Sequence, residues 1–258
     1  MSTFGYILLF TFFGSFLSLI SVALVLRNEA WLRHTSAFFS SFAAGVLLYI
    51  AFLDLLPEAL EEAETSGIDP HLMFVFALLG FLVLFIIERV FHWHHHHEGV
   101  HHDDEARPPA YRYLVMAGDI LHNFLDGMAI GATFLVSIPL GITTAISIFF
   151  HEIPKEIGDI SLLIHSGLKR KSAVIFNLAT KTTSFLGAII AFLFAGQFFS
   201  VGPLFAFAAG SFLYITAVDL IPEIHEEKNT RRIVMRVSFM FLGIILLWFI
   251  GQVLPHGE

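Results

Sequence analysis

Residues 43–58 read AAGVLLYIAFLDLLPE, and residues 208–223 read AAGSFLYITAVDLIPE. Ten of the sixteen positions are identical, among them Tyr49/Tyr214, Asp54/Asp219, Pro57/Pro222 and Glu58/Glu223. The identities reach back to Ala43/Ala208, about three helical turns before the Asp that opens the shared Asp-x-x-Pro-Glu ending. A common helix ending alone would not extend that far. Each copy lies in a long apolar run. Runs near 4–26, 36–57, 71–91, 112–135, 140–165, 171–195, 201–222 and 232–254 are each long enough to cross a bilayer, which takes roughly 20 residues. The whole chain has 258 residues, 56% hydrophobic, with 30 Phe and a mean hydropathy of +0.77. This composition belongs to a polytopic membrane protein and not to a soluble domain. The first run lacks a preceding basic segment, so it reads as a retained helix and not a cleaved signal.

Positive charge orients the runs. Arg27 and Arg33 follow the first; Arg89, Arg107 and Arg112 surround the loop after the third. Lys169, Arg170 and Lys171 follow the fifth, and Lys228, Arg231, Arg232 and Arg236 follow the seventh. These are twelve of the fourteen Lys and Arg, and the alternate loops and both termini have none. The positive-inside rule then predicts eight spans with both termini outside. The repeated segments cross in opposite directions, which predicts an inverted repeat of helices 1–3 and 6–8 around helices 4–5. Transporters with such repeats place the substrate site where the repeats meet. The fold class is therefore an all-α polytopic membrane protein with eight transmembrane helices, in a single domain over 1–258. Asp54 and Glu58 fall toward the outer side, Asp219, Glu223 and His225 toward the inner side. They read as polar mouths of a central path or as interfacial caps. The acidic stretch from Glu58 to Asp69 reads as a solvated outer loop or a cation-concentrating mouth. The formal charge of −8 disfavours nucleic acid as a partner, and the absence of Cys excludes disulfides and thiolate metal sites.

Two remaining motifs place ionisable groups inside apolar runs, where they are costly and mark sites or pathways. The fourth run holds HNFLDG at 122–127, and the fifth holds HEIPKEIGD at 151–159. Asp126 lies twelve residues before Ile138 in the intervening turn, and His151 thirteen after it. On antiparallel helices rising about 1.5 Å per residue, the two share one level near the midplane. Asp119, His122 and Asp126 share one helix face; His151, Lys155 and Asp159 share another, with Glu152 and Glu156 beside them. Imidazole and carboxylate at one depth suit a divalent transition metal such as zinc. Asn123 offers an amide oxygen or an interhelical hydrogen bond. Pro154 removes a backbone hydrogen bond beside the site and is expected to kink its helix. Gly127, Gly131 and Gly158 allow close helix approach.

The segment HWHHHHEGVHHDDEARPP at 92–109 cannot bury a core. Its histidines, including His94, His95, His96, His97, His101 and His102, suit loose metal binding without fixed geometry. The segment, within a cytosolic loop at 92–110, reads as a metal buffer or sensor, or else as a passive linker.

Together these features resemble the ZIP (Zrt/Irt-like) family of divalent metal transporters. The resemblance rests on the eight runs, the outside termini, the His-rich third loop, and the paired motifs at 122–127 and 151–159. It implies uptake of zinc, or of iron, manganese or cadmium, toward the cytosol across the cell membrane, with the metal as cargo and no enzymatic activity. It also implies a metal site between helices 4 and 5. His122, Asp126 and His151 would carry a primary ion, and Asn123, Asp126 and Glu152 a second, with Glu156 nearby. The family further suggests helices 1, 4, 5 and 6 sliding against 2, 3, 7 and 8, and a homodimer is open. The chain departs from the family at Lys155, where a His or carboxylate is usual, and at Ser184, where some relatives carry a carboxylate. A protonated Lys has no lone pair to coordinate with, so Lys155 is expected to substitute for the charge of a second ion. Lys181, the other cation inside a run, either pairs with a carboxylate or snorkels.

Two competing readings stay open. An intramembrane zinc hydrolase would use His-Glu and Leu-Asp-Gly pieces, but a zincin needs His at i and i+4; position 155 is Lys, and the order of the pieces is reversed. A metal sensor would bind without transporting.

Overall fold

A computed structural model describes residues 1–20, 29–93, 109–165, 168–195, 200–225 and 227–253, which fold as helices and short connections. The helices are α1 Thr3–Thr11, α2 Glu29–Tyr49, α3 Leu56–Thr65, α4 His71–Trp93, α5 Pro109–Val136, α6 Ile138–His165, α7 Arg170–Phe194, α8 Gly202–Ile215, α9 Ile221–His225 and α10 Thr230–Val253. Single π-helical segments at Phe12–Phe16, Ile50–Leu55 and Thr216–Leu220 continue α1, join α2 to α3 and join α8 to α9. Among the described residues, four continuous helical stretches are long and apolar enough to cross a membrane: Ala37–Thr65, Arg170–Phe194, Gly202–Leu220 and Thr230–Val253. Thr3–Phe16 and His71–Ile87 are shorter apolar helices. α5 and α6, each 28 residues long, carry the ionisable motifs. The His-rich segment from His94 to Arg107 lies outside the described residues.

The acidic stretch after Pro57 differs from its expected loop. It is helical to Thr65, and the chain turns only at Ser66 and Gly67, where Gly67 takes φ +67°. Pro57 sits in the first turn of α3, where its missing N–H costs no intrahelical bond. The preceding π segment lets the helix pass through Asp54 and resume. The second copy does the same, with Asp219 in its π segment and Pro222 at the start of α9. π segments of this kind recur at functional positions. Pro154 likewise leaves α6 helical on both sides.

The packing matches between the copies. Gly45 of α2 lies against the Met240 backbone of α10, and Gly243 of α10 against the Phe42 carbonyl of α2. Gly210 of α8 lies against the Ala77 backbone of α4, and Gly80 of α4 against the Phe207 carbonyl of α8. Phe42 and Gly45 precede Phe207 and Gly210 by 165 positions; Ala77 and Gly80 precede Met240 and Gly243 by 163. Each glycine admits a neighbouring backbone where a Cβ would collide, the arrangement small residues permit between membrane helices. Gly210→Val is therefore expected to destabilise the protein by about 1–3 kcal/mol, read as a lowered melting temperature in detergent. An unchanged melting temperature would mean that α4 and α8 part freely.

A third glycine-lined contact holds the site. Gly127 of α5 meets the Ser184 backbone of α7, and Gly187 of α7 meets the Phe124 carbonyl. Gly131 lies against Ala188. This brings polar residues of α7 within reach of α5. At the start of α6, Ser137 Oγ accepts the Leu140 N–H at 3.2 Å, capping the helix that returns beside α5. Outside the spans, Glu227 accepts the backbone N–H groups of Asn229 and Lys228 and pairs with Arg236 and Arg232. The Asn229 N–H, first among these, holds its carboxyl below the usual range.

Candidate metal centre

α5 and α6 deliver four side chains to one point. His122 Nε2, His151 Nε2, Asp126 Oδ2 and Glu152 Oε1 form a group in which every ligand atom lies within 4.8 Å of the others. His122 Nε2 and His151 Nε2 are 3.1 Å apart. Asp126 Oδ2 is 3.5 Å from His122 and 3.3 Å from His151. Glu152 Oε1 is 3.4 Å from His122 and 4.0 Å from His151. Zinc–nitrogen and zinc–oxygen bonds of about 2.0–2.1 Å require tetrahedral edges of about 3.3 Å. The observed edges bracket that value, so the donors fit one ion with small adjustments.

The chemistry of the donors agrees with their spacing. His151 Nδ1 lies 3.2 Å from the Ser147 carbonyl, one turn back. A carbonyl only accepts, so Nδ1 carries the proton and Nε2 presents a lone pair toward the cluster, as in metal sites whose outer contacts fix the ring. His122 Nε2 then donates to His151 Nε2, and a metal entering between them displaces that proton. Asp126 Oδ2 and Glu152 Oε1 receive no hydrogen bond although buried; Glu152 Oε1 has the Lys155 ammonium at 3.4 Å, beyond hydrogen-bond length. Unsatisfied anionic oxygens in an interior are costly, and a cation removes that cost. His151, Asp126 and Glu152 are buried, while His122 keeps 12% side-chain exposure. His122 and Asp126 border a crevice whose other walls are apolar apart from Ser211, including Leu84, Leu125, Met128, Phe207 and Phe212.

The fully buried Lys181 and the half-buried Lys155 divide the neighbouring carboxylates. Lys155 pairs with Asp119, lies 3.3 Å from Asp159 and keeps a 3.4 Å contact with Glu152. Asp119 also accepts from Thr180 and, at 2.8 Å, from Asn123 Nδ2. Lys181 pairs with Glu152 and Glu156 and donates to Asn123 Oδ1 at 3.1 Å. Of the residues named for a second ion, Asn123 and Glu152, with Glu156 beside them, thus face Lys181 first, whereas Asp126 faces the two histidines and Lys155 is set mainly on Asp119 and Asp159. The sequence flagged Lys181 as an unexplained cation but left its partner open. Its spacing from Asn177 and Ser184 on one helix face was the available signal. Thr180 and the Ser147 carbonyl carried no sequence signal.

Asp54, Glu58, Asp219 and His225 are not members of the four-donor group. Asp54 is buried and His225 exposed, while the Glu223 side chain lies outside the described residues. Lys155, ion-paired at the position where a zincin would need its second His, leaves α6 without the i, i+4 histidine pair of the hydrolase reading.

The chain is similar in sequence to known proteins. The chain is 40% identical over 167 residues to the zinc transporter foi of Drosophila melanogaster, covering 60% of this chain and 24% of that protein. It is 30% identical over 239 residues to the zinc transporter ZIP13 of Pongo abelii, covering 88% of this chain and 70% of that protein. It is 37% identical over 137 residues to the human metal cation symporter ZIP14, covering 52% of this chain and 28% of that protein. The chain thus spans only about a quarter of foi and ZIP14. The sequence pattern of the family described as ZIP zinc transporter matches residues 2–113 and 94–251. With apolar helices, paired motifs on α5 and α6 and this match over nearly its whole length, the chain belongs to the ZIP zinc transporter family of membrane metal-ion transporters.

Proposed function

We propose that this chain carries a divalent metal ion, zinc foremost, across the cell membrane toward the cytosol, with His122, Asp126, His151 and Glu152 as its transport site. The observation that carries this reading is the four-donor cluster on two long helices, with His–His and His–carboxylate separations of 3.1 to 4.0 Å and carboxylate oxygens that receive no hydrogen bond. Iron, manganese and cadmium are the other candidate cargoes. Asn123 and Glu156 support the site from its edge, and Asp119 and Asp159 line the path to the inner side. Asp54, Glu58, Asp219, Glu223 and His225 serve the mouths. The chain acts as one domain without catalysis. It crosses the membrane eight times with both termini outside and is open to forming a homodimer.

The inverted repeat belongs to the same proposal. The matched glycine contacts of α2 with α10 and of α8 with α4, and the π segments at Asp54 and Asp219, are what a twofold relation between the halves would produce. Site and repeat then stand as in other transporters built this way.

Reconstituted in liposomes, the protein is expected to accumulate zinc in a saturable manner, with other divalent ions competing in a panel. Absence of flux from correctly inserted protein would overturn the proposal, and zinc binding without flux would leave the sensor reading. The cytosolic His-rich loop tunes transport and does not carry it. Deleting His94 to His102 is expected to preserve basal flux while changing the response to high metal load. Complete loss of flux in an inserted deletion protein would place the loop on the pathway.

A further inference from the structure

A fully buried lysine sits directly beside the four-donor cluster. Lys181 has no solvent exposure, which is rare for Lys unless it is paired. Its ammonium has three N–H donors and meets three oxygens: Glu152 Oε2, Glu156 Oε1 and Asn123 Oδ1. Each comes from a different side chain on α5 or α6, whereas Lys181 projects from α7. The Gly127–Ser184 and Gly187–Phe124 contacts bring α7 close enough for that reach. Ser184 Oγ, 3.3 Å from the same Asn123 oxygen, completes an all-oxygen surround. Without the ammonium, this set would be a second cation position, made of oxygen donors and sharing Glu152 with the first.

Resting on the proposed metal site, we propose that Lys181 is a tethered cation occupying that second position, so that the centre takes one metal ion and not two. Glu152 is then divided, Oε1 facing the His122–His151–Asp126 cluster and Oε2 held by the ammonium. This fixes the carboxylate orientation before the metal arrives. It also supplies positive charge between Glu152 and Glu156 without spending a second ion. A second divalent ion there would have to displace the ammonium from three acceptors. It would also sit a few ångström from the first, where like charges in a low-dielectric interior repel strongly.

The test counts zinc per chain in the full-length protein held in lipid nanodiscs, by equilibrium dialysis and elemental analysis. The His122→Ala/His151→Ala double variant provides the baseline, because it keeps the His-rich loop. The parent is expected to exceed this baseline by one zinc, Lys181→Arg by one, and Lys181→Ala and Lys181→Glu by two. A parent exceeding it by two would overturn the inference while leaving the metal site intact. So would folded Lys181→Ala and Lys181→Glu proteins that both stay at one. No excess in the parent would remove the four-donor site itself and the inference with it. Should the Ala and Glu variants fail to fold, the parent count and Lys181→Arg still decide.

Discussion

Asp126→Ala is expected to insert and fold normally yet to carry no zinc. Asp126 Oδ2 touches both imidazole nitrogens of the cluster, at 3.5 and 3.3 Å, and receives no hydrogen bond. Removing it takes away one of four donors and one of the two negative charges facing the ion. Loss of an outer-shell contact alone costs about 10–100-fold in metal affinity, so loss of a direct donor costs at least the upper end of that range. The fold, by contrast, loses little. Asp126 forms no ion pair with either lysine among the described residues, and a buried carboxylate without donors is itself a cost. Melting temperature without metal should therefore hold or rise, and stabilisation by added zinc should disappear. Normal zinc uptake by a well-inserted Asp126→Ala protein would overturn the site assignment.

Asp119→Ala is expected to act in the opposite way, through stability first. Asp119 is buried and receives Lys155, Thr180 and Asn123 at once. Its removal leaves the Lys155 ammonium against Asp159 and Glu152 alone, and it frees Asn123 Nδ2 from its side-chain acceptor. Breaking one side of a buried ion pair costs about 3–5 kcal/mol, which should appear as a marked fall in melting temperature. The double variant Asp119→Leu/Lys155→Met removes both charges together. Because the uncompensated charge, not the missing pair, carries most of that cost, the double variant should recover much of the loss. A double variant no more stable than Asp119→Ala would show that the network acts through its hydroxyl and amide members. Comparing single and double changes isolates the Asp119–Lys155 coupling.

The contrast between Asp126 and Asp119 was invisible in the sequence. Both lie on one face of the same helix, both are acidic, and both sit near buried histidines or lysines. What separates them is which residue of a neighbouring helix arrives opposite. Lys155 comes to Asp119 from α6 with Thr180 of α7 behind it, whereas His151 comes to Asp126.

The chain's own pattern was enough for α4 to α7 and α10, because spans require about 20 apolar residues and these helices begin and end within about three residues of the runs at 71–91, 112–135, 140–165, 171–195 and 232–254. It was also enough for the grouping of His122, Asp126, His151 and Glu152, since antiparallel helices joined by a one-residue break at Ser137 have a fixed relative register. It misplaced the end of the second run, because a proline in the first turn of a new helix looks like a stop when the π segment before it is unseen. It could not assign Lys181. A lysine in an apolar helix reaches several ångström in any direction, and its destination depends on how closely α7 packs on α5. Only the tertiary structure, through the glycines that let those backbones meet, decided that this ammonium lies on Glu152, Glu156 and Asn123 beside the four-donor cluster.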